Sequence, residues 1–275
     1  MESIFKILPS TVEAQKCTLI CEISNEGFSY AIKNDEENNY IAVAIYHFDK
    51  NTNAVNHAST IGDEIRQQSL LSENFKNVYI IYSLPESVLI PFSLYSSNEN
   101  ANVLNCIHGD LHKGVSILTD LIAEKGIYNC YRIPIEIISL IKSKFPDATH
   151  RHQYTILLKQ LPIKGDKMSV IFYPQKIVMV LTKKGKLQFI NSFYYRTAED
   201  VSYILLNTCN QFDVQNIPVE VSGLIENSSP LFKEIYKYFN TVYCTELPKG
   251  CNYSQEITSQ PSHYFSHIFA IDSCE

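Results

Sequence analysis

The chain has 275 residues, room for two cores of ordinary domain size, and its 45% hydrophobic and 19% charged residues exclude the charge-rich, apolar-poor profile of a disordered protein. A net charge of −6, with 23 Lys and Arg residues scattered without a dense cluster, argues against a general phosphate-backbone binder, so no nucleic-acid partner is expected. The longest apolar runs, such as Tyr40–Tyr46 and Ile177–Leu181, fall far short of the roughly 18 residues a bilayer span needs, and Met1–Leu8 lacks the apolar core of a secretory leader, so no membrane insertion and a cytoplasmic location are expected.

In chain order, Cys17–Ser24, Gly27–Lys33 and Tyr40–His47 read as three short strands. The first two are joined at Asn25-Glu26, with Gly27 available for a positive φ. A helix is expected from Ala54 to about Asn74, then a strand at Asn77–Tyr82. Val88–Pro91 is extended and ended by Pro91, and Ser97 to about Ile107 reads as a polar helix. Strands at Val115–Leu121 and Gly126–Tyr131 lead to a helix opened by Pro134, with Ile137, Ile138 and Ile141 on one face, ending before Pro146. Pro146 to about Arg151 reads as a passage to the second half, and Gln153–Gln160 as a connecting helix.

Met168–Tyr173, Lys176–Thr182 and Lys186–Ser192 then repeat the three-strand pattern, with hairpin turns at Tyr173-Pro174-Gln175-Lys176 and Lys183-Lys184-Gly185-Lys186. Thr197, with Asp200 three residues on, caps a helix over Ala198 to about Phe212 whose buried stripe is Val201, Ile204, Leu205, Cys209 and Phe212. Pro218–Ser222 is a short strand. Ser229-Pro230 opens a helix with Leu231, Ile235 and Tyr238 on its inner face, and Thr241–Thr245 returns as a strand. Gly250–Pro261 reads as irregular, before a short element around Tyr264–Ile271.

Three strands, a helix and a strand thus occur twice, about 150 residues apart. The duplication predicts an α/β protein of two similar halves, residues 1–151 and 152–275, facing each other across a cleft.

The eight cysteines form no Cys-x-x-Cys pair, and Cys17 and Cys21, about 13 Å apart along a strand, are beyond disulfide reach. They read as small buried hydrophobes of a reducing compartment. Cys106, His108, Asp110 and His112 alternate around Gly109 in a way that can gather metal ligands, but a polar loop explains them equally and no metal is expected. His263 and His267 share a helix face without the Glu of a zinc-protease motif, so partial burial or exposure is expected. His150 and His152 flank Arg151 in what reads as a solvated loop. No nucleophile motif occurs, and no catalytic residue is assigned.

The doubled meander followed by alternating helices and strands resembles the actin-like ATPase fold, two ribonuclease-H-like subdomains around a nucleotide cleft. More narrowly, Glu26-Gly27-Phe28-Ser29-Tyr30, Leu89-Ile90-Pro91, Phe189-Ile190-Asn191-Ser192-Phe193-Tyr194-Tyr195 with Asp200 and Tyr203, Val221-Ser222-Gly223, Tyr264-Phe265 and Cys274-Glu275 resemble an uncharacterised bacterial family to which that fold is ascribed. The resemblance implies a fold rather than an activity. It also implies where ATP with magnesium would sit, namely against Glu22, Ser24 and Gly27 in the first turn, Lys176 in the second, and Gly223 in the loop after the fourth strand of the second half.

Those positions depart from the family pattern. An Asp should open each turn, with Gly and Ser/Thr beside the phosphates. The first turn has Glu22, no Gly two residues later, and Glu26 beside the phosphates. The second has no acid, no Gly, and a Pro174 that removes a donor. Bulky Leu224 and Ile225 follow Gly223. The expectation is therefore a non-catalytic scaffold or adaptor that binds another protein, with no cofactor, in an assembly at the cell envelope by analogy with pilus-assembly relatives of the fold. A homo-oligomer is compatible with this. The alternatives are a divergent nucleotide-binding switch or ATPase and a small-molecule binder in the same cleft. Tyr194, Tyr195 and Arg196, an aromatic pair beside a guanidinium, are the candidate partner contacts, against the alternative of a strand packed on both sides.

Overall fold

The run Cys17–Ser24 has no polar face, and the reason is its position in the sheet. The computed structural model describes residues 2–48, 54–110, 114–160 and 165–271. In it, β1 (Glu2–Ile7) precedes the meander β2 (Cys17–Ser24), β3 (Gly27–Asn34) and β4 (Asn39–His47), and all eight residues of β2 are buried. β2 pairs antiparallel with β3, from Cys17 opposite Asn34 to Ile23 opposite Phe28, and β3 antiparallel with β4. α1 (Ala54–Gln67) returns the chain to β5 (Asn77–Ser83), which lies parallel to β2. A strand paired on both edges and covered on both faces has no use for polar alternation.

β6 (Ser87–Pro91), α2 (Asn100–His108), β7 (Val115–Ile122) and β8 (Ile127–Pro134) follow, the strands forming a separate antiparallel sheet in the order β6-β8-β7. Next come α3 (Ile135–Lys144), with Ile137, Ile138 and Ile141 buried as their spacing demands, β9 (Thr149–His152) and α4 (Gln153–Gln160). β9 is a correction to the sequence reading. The stretch before Arg151 is not a passage between halves but an edge strand parallel to β5, with His152 buried and its Nε2 2.9 Å from the Leu84 carbonyl oxygen, and with His150 Nδ1 2.9 Å from the Tyr82 hydroxyl. Thr-His-Arg-His carries no apolar alternation, so only the neighbouring strand reveals it.

The second half repeats the order. β10 (Lys167–Phe172), β11 (Lys176–Lys183) and β12 (Lys186–Tyr194) form an antiparallel meander, α5 (Ala198–Gln211) crosses, and β13 (Val219–Gly223) lies parallel to β10. α6 (Pro230–Tyr236) and β14 (Val242–Cys244) complete a sheet ordered β12-β11-β10-β13-β14. The β11–β12 turn has Lys184 at φ 53° and Gly185 at φ 70°, the two positive φ values of a type I′ hairpin. Thr197 and Asp200 form the expected capping box, and the Ser229 side chain accepts from the Phe232 N–H. Val201, Leu205 and Cys209 are buried, with Ile204 and Phe212 packed beside them. Ile235 is buried, but Tyr238 is exposed, because α6 ends at Tyr236 before the chain reaches it.

β15 (Asn252–Tyr253), α7 (Gln255–Thr258) and α8 (Ser266–Phe269) close the chain. β4 carries two strands the sequence reading lacked: β1 pairs antiparallel with it, Ile7 opposite Val43, and β15 pairs parallel at Asn39 and Tyr40. The first unit is accordingly Met1–Gln160 with Cys251–Ile257 and Ile271–Glu275, and the second Leu161–Gly250 with Thr258–Ala270. The division falls after Gln160 rather than Arg151 because α4 packs on β5, β7 and β9. Each unit has its own apolar core, one around Leu19, Tyr30, Ile61 and Ile80, the other around Val170, Met179, Leu205 and Val221. Among the described residues, no helix is long and apolar enough to cross a membrane.

Gly27 is needed for a reason other than the expected one. Its φ is not positive. Instead, a β-carbon built on it would stand 2.0 Å from the Tyr46 carbonyl oxygen of β4.

Candidate functional site

In open α/β sheets, ligands are held outside the carboxyl ends of the parallel strands. In the second unit that place is the end of the β10–β13 pair, where Phe172 lies opposite Gly223. Gly223 has φ +80°, and its neighbour Leu224 donates its N–H to the Phe172 carbonyl at 2.8 Å. The glycine therefore lets β13 turn tightly against β10, a role that needs no ligand. Ile225 enters the core.

The chain's own C-terminal segment covers this end. The His263 ring Nε2 donates to the Ile225 carbonyl at 2.6 Å, and Ser262 Oγ donates to the Thr245 carbonyl at 3.2 Å. The hydroxyls of Thr245 and Ser266 share a hydrogen bond of 2.6 Å. Tyr264, Phe265, Ile268 and Phe269 are all buried. His263 is thus a core residue, more deeply placed than the partial burial or exposure expected of it. The His267 ring stands edge-on to Tyr173 at 5.6 Å with its Nδ1 shielded. Burial first, and the nearby Lys176 charge second, pull its pKa down to about 3, so the ring is neutral. Lys176 itself is only 1% exposed, with Nζ 4.7 Å from the centre of the Tyr173 ring, a cation over an aromatic face.

The first unit has the equivalent end at the β2–β3 turn. Ser24 Oγ accepts the N–H groups of Glu26 and Gly27, both at 3.1 Å, so donors that an incoming anion would use are already satisfied within the turn. Glu22 is 2% exposed and Glu26 is also buried, so two carboxyls stand where phosphates would approach. At the end of β5, Ser83 Oγ donates to Gln153 Oε1 at 2.6 Å.

A polar cluster that the sequence reading missed lies where β7 meets β9 and α4. Asp120, 5% exposed, accepts from the Tyr131 hydroxyl at 3.1 Å, the His152 N–H at 2.7 Å and Thr155 Oγ1 at 2.8 Å. Burial pushes its carboxyl above the usual range, and these hydrogen bonds oppose the shift. Asn129 extends the network by donating to Thr155 Oγ1 and accepting from Ser87 Oγ. The only sequence signal was one Asp in an apolar strand. Its partners come from elements far apart in the chain, and what they do together is tie the small sheet to β9 and α4.

The aromatic run at the end of β12 divides. Phe193 packs on the core, and Tyr195 sets its ring edge-on to Phe172 while donating its hydroxyl to the Tyr173 carbonyl at 2.8 Å. Tyr194, 56% exposed, and Arg196 face solvent. Of the three candidate contacts, two are accessible and one is a packing residue. Among the described residues, no group of three or more His, Cys, Asp or Glu is arranged to hold a metal. His108 Nε2 reaches the Ser87 carbonyl at 3.2 Å, and His112 lies outside the described residues. Cys106 is exposed, unlike the buried Cys17, Cys21, Cys130 and Cys209, which corrects the expectation that the cysteines are buried as a class.

A family model described as a protein of unknown function (DUF3822) matches residues 9–242. No curated protein matches the chain in sequence. Among solved structures it is similar to a Bacteroides thetaiotaomicron protein with an actin-like ATPase fold and unknown function, with a TM-score of 0.78 and 17% identity over 97% of this chain and 100% of that one. It is also similar to a chain of the PilM-PilN type IV pilus biogenesis complex, with a TM-score of 0.59 and 10% identity over 94% and 98%. A third is the cytoplasmic domain of EpsL, an inner membrane component of the type II secretion system of Vibrio cholerae, with a TM-score of 0.50 and 8% identity over 94% and 95%. These likenesses establish the fold as the actin-like one of duplicated ribonuclease-H-like units.

Proposed function

The chain belongs to the DUF3822 family of proteins of unknown function, and from that membership and the geometry above we propose that it is a non-catalytic member of the actin-like fold, an adaptor that binds another protein. The observation that carries this reading is the covered carboxyl end of the second unit. His263, Tyr264, Phe265 and Phe269 pack where a nucleotide would be held, and Ile225 continues inward from Gly223. The residues do not fit a magnesium–triphosphate. The second turn offers Pro174 and a buried Lys176 with no acid, and the first offers Glu22 and Glu26 with Ser24 occupying its donors. Those turns, as described, supply neither the positioning nor the charge stabilisation that a transferring phosphoryl group needs.

Two neighbours of the same fold are named as parts of protein assemblies, a pilus biogenesis complex and a secretion system, which supports a role in holding a partner. The test has two arms. Calorimetric titration with ATP and GTP in magnesium should give no binding heat, and cross-linking in the native cell should recover a partner whose binding is indifferent to nucleotide. A micromolar affinity for ATP that is lost in Glu22→Gln at unchanged melting temperature would replace the adaptor reading with the nucleotide switch.

A further inference from the structure

The duplication exposes an asymmetry between the two sheets. β4 and β12 are the third meander strands of their units, and in the first unit β4 is covered along its outer edge by β1, an added antiparallel strand. In the second unit, β12 ends the sheet, and no strand pairs with its outer edge among the described residues. The Tyr195 N–H donates back to Gln175 at 3.0 Å, on the β11 side. By the two-residue alternation of an antiparallel ladder, Phe193 and Asn191 also turn toward β11, and the N–H and C=O groups of Ile190 and Ser192 point outward. Ser192 N–H is held by the neighbouring Asn191 Oδ1 at 2.8 Å, a local stand-in for a cross-strand partner.

Proteins protect such edges with charge, proline, bulges or shortness. Several other edges here follow that rule: β14 has three residues and β9 four, β6 ends at Pro91, and β1 carries Glu2 and Lys6, whereas β7, the eight-residue edge of the small sheet, carries only the buried Asp120. β12 has a bulge at Gln188, shown by the register step between Leu181 and Thr182, but Phe189–Tyr194 then runs six residues without charge, proline or glycine. The charges at its two ends are cationic. Lys184 and Lys186 precede it and Arg196 follows, all three exposed and none in a salt bridge among the described residues. Asp166 accepts from Lys184 N–H and Asp200 from the N–H groups of Arg196 and Thr197, while Glu199, three residues after Arg196, is exposed.

We propose that the outer edge of β12 docks an extended segment of a partner protein, added antiparallel as β1 adds to β4, with apolar residues at its centre and acidic residues at its ends. This rests on the adaptor reading and names the mode of binding. A second copy fits less well. Two β12 strands paired about Ser192 bring Arg196 of one copy diagonally opposite Lys186 of the other, a like-charge contact.

The test pans a displayed library of random nonapeptides on the folded full-length chain and measures the best binders as synthetic peptides. Selected sequences should alternate apolar residues between flanking Asp or Glu, and binding should slow amide exchange at Ile190 and Ser192. Ser192→Pro removes one outward N–H, a position where an edge strand tolerates proline, and should weaken binding roughly tenfold at unchanged melting temperature. If Ser192→Pro disturbs the fold, the double variant Lys186→Glu with Arg196→Glu, which changes surface charge alone, should give a similar loss. An empty selection, peptides that bind both variants as tightly as the parent, protection elsewhere, or a dimer in sedimentation that Ser192→Pro dissolves would each overturn the proposal. A partner recovered from cells that binds Ser192→Pro undiminished would leave the adaptor reading standing and remove the β12 edge from it, whereas recovery of no partner would count against the adaptor reading itself.

Discussion

A β-carbon built on Gly223 would lie 2.2 Å from the Phe172 carbonyl oxygen, with the backbone at φ +80°. Both facts forbid a side chain, and the obstructing atom is backbone on a buried strand that cannot move aside. Gly223→Ala should therefore lower the urea-unfolding stability of the second unit by about 3 kcal/mol. Gly126→Ala, at φ +65° but with open space around it, carries only the conformational penalty, about 1 kcal/mol. Similar losses in the two variants would show that the close approach to Phe172 does not matter.

The C-terminal segment should behave as core. Phe265 and Phe269 are almost wholly buried, their rings 6.0 Å apart. Truncating either to Ala should remove about 3–5 kcal/mol, and chemical denaturation monitored by circular dichroism measures it. A loss below about 1 kcal/mol would mean that the segment is not packed over the end of the second sheet.

His267 predicts a pH dependence of definite sign. Its pKa is about 3 in the folded chain and near 6.5 when unfolded, so between those values the unfolded state binds more protons. Its contribution is complete above pH 6.5 and is lost as pH falls toward 3, with a slope of at most ~1.4 kcal/mol per pH unit. His267→Gln should flatten the stability profile of the parent between pH 6 and 4 by about that amount. Parallel profiles for the two proteins would rule out a buried neutral ring.

Tyr194 and Tyr195, adjacent in sequence, should separate in experiment. Tyr195→Phe loses the hydrogen bond to the Tyr173 carbonyl and should lower stability by about 1 kcal/mol, and Tyr195→Ala should lower it further through lost packing on Phe172. Tyr194→Ala should leave the melting temperature unchanged while weakening partner recovery. A fall in melting temperature for Tyr194→Ala without a separate binding defect would remove Tyr194 from the contact surface.

Much of the fold was legible along the chain because its signals are local. The hairpin turn at Lys184-Gly185, the capping box of Thr197 and Asp200, the Ser229 cap and the isoleucine stripe of α3 each depend on residues a few positions apart. The order in which these recur exposes the duplication. The candidate site was legible mainly in what its turns lack, an opening Asp and the glycines beside it.

Tertiary structure decided what depends on distant neighbours. β1 and β15 are strands because the edge of β4 is there to pair with them, and β9 because β5 is. His263 is buried because Ile225 offers a carbonyl above the end of β13, and Asp120 is tolerated in an apolar strand because three donors converge on it from β8, β9 and α4. Gly27 and Gly223 are fixed by backbone oxygens of other strands. A short polar segment has no strand or core character of its own. It acquires that character only when folding brings up the hydrogen-bonding groups that compensate its burial.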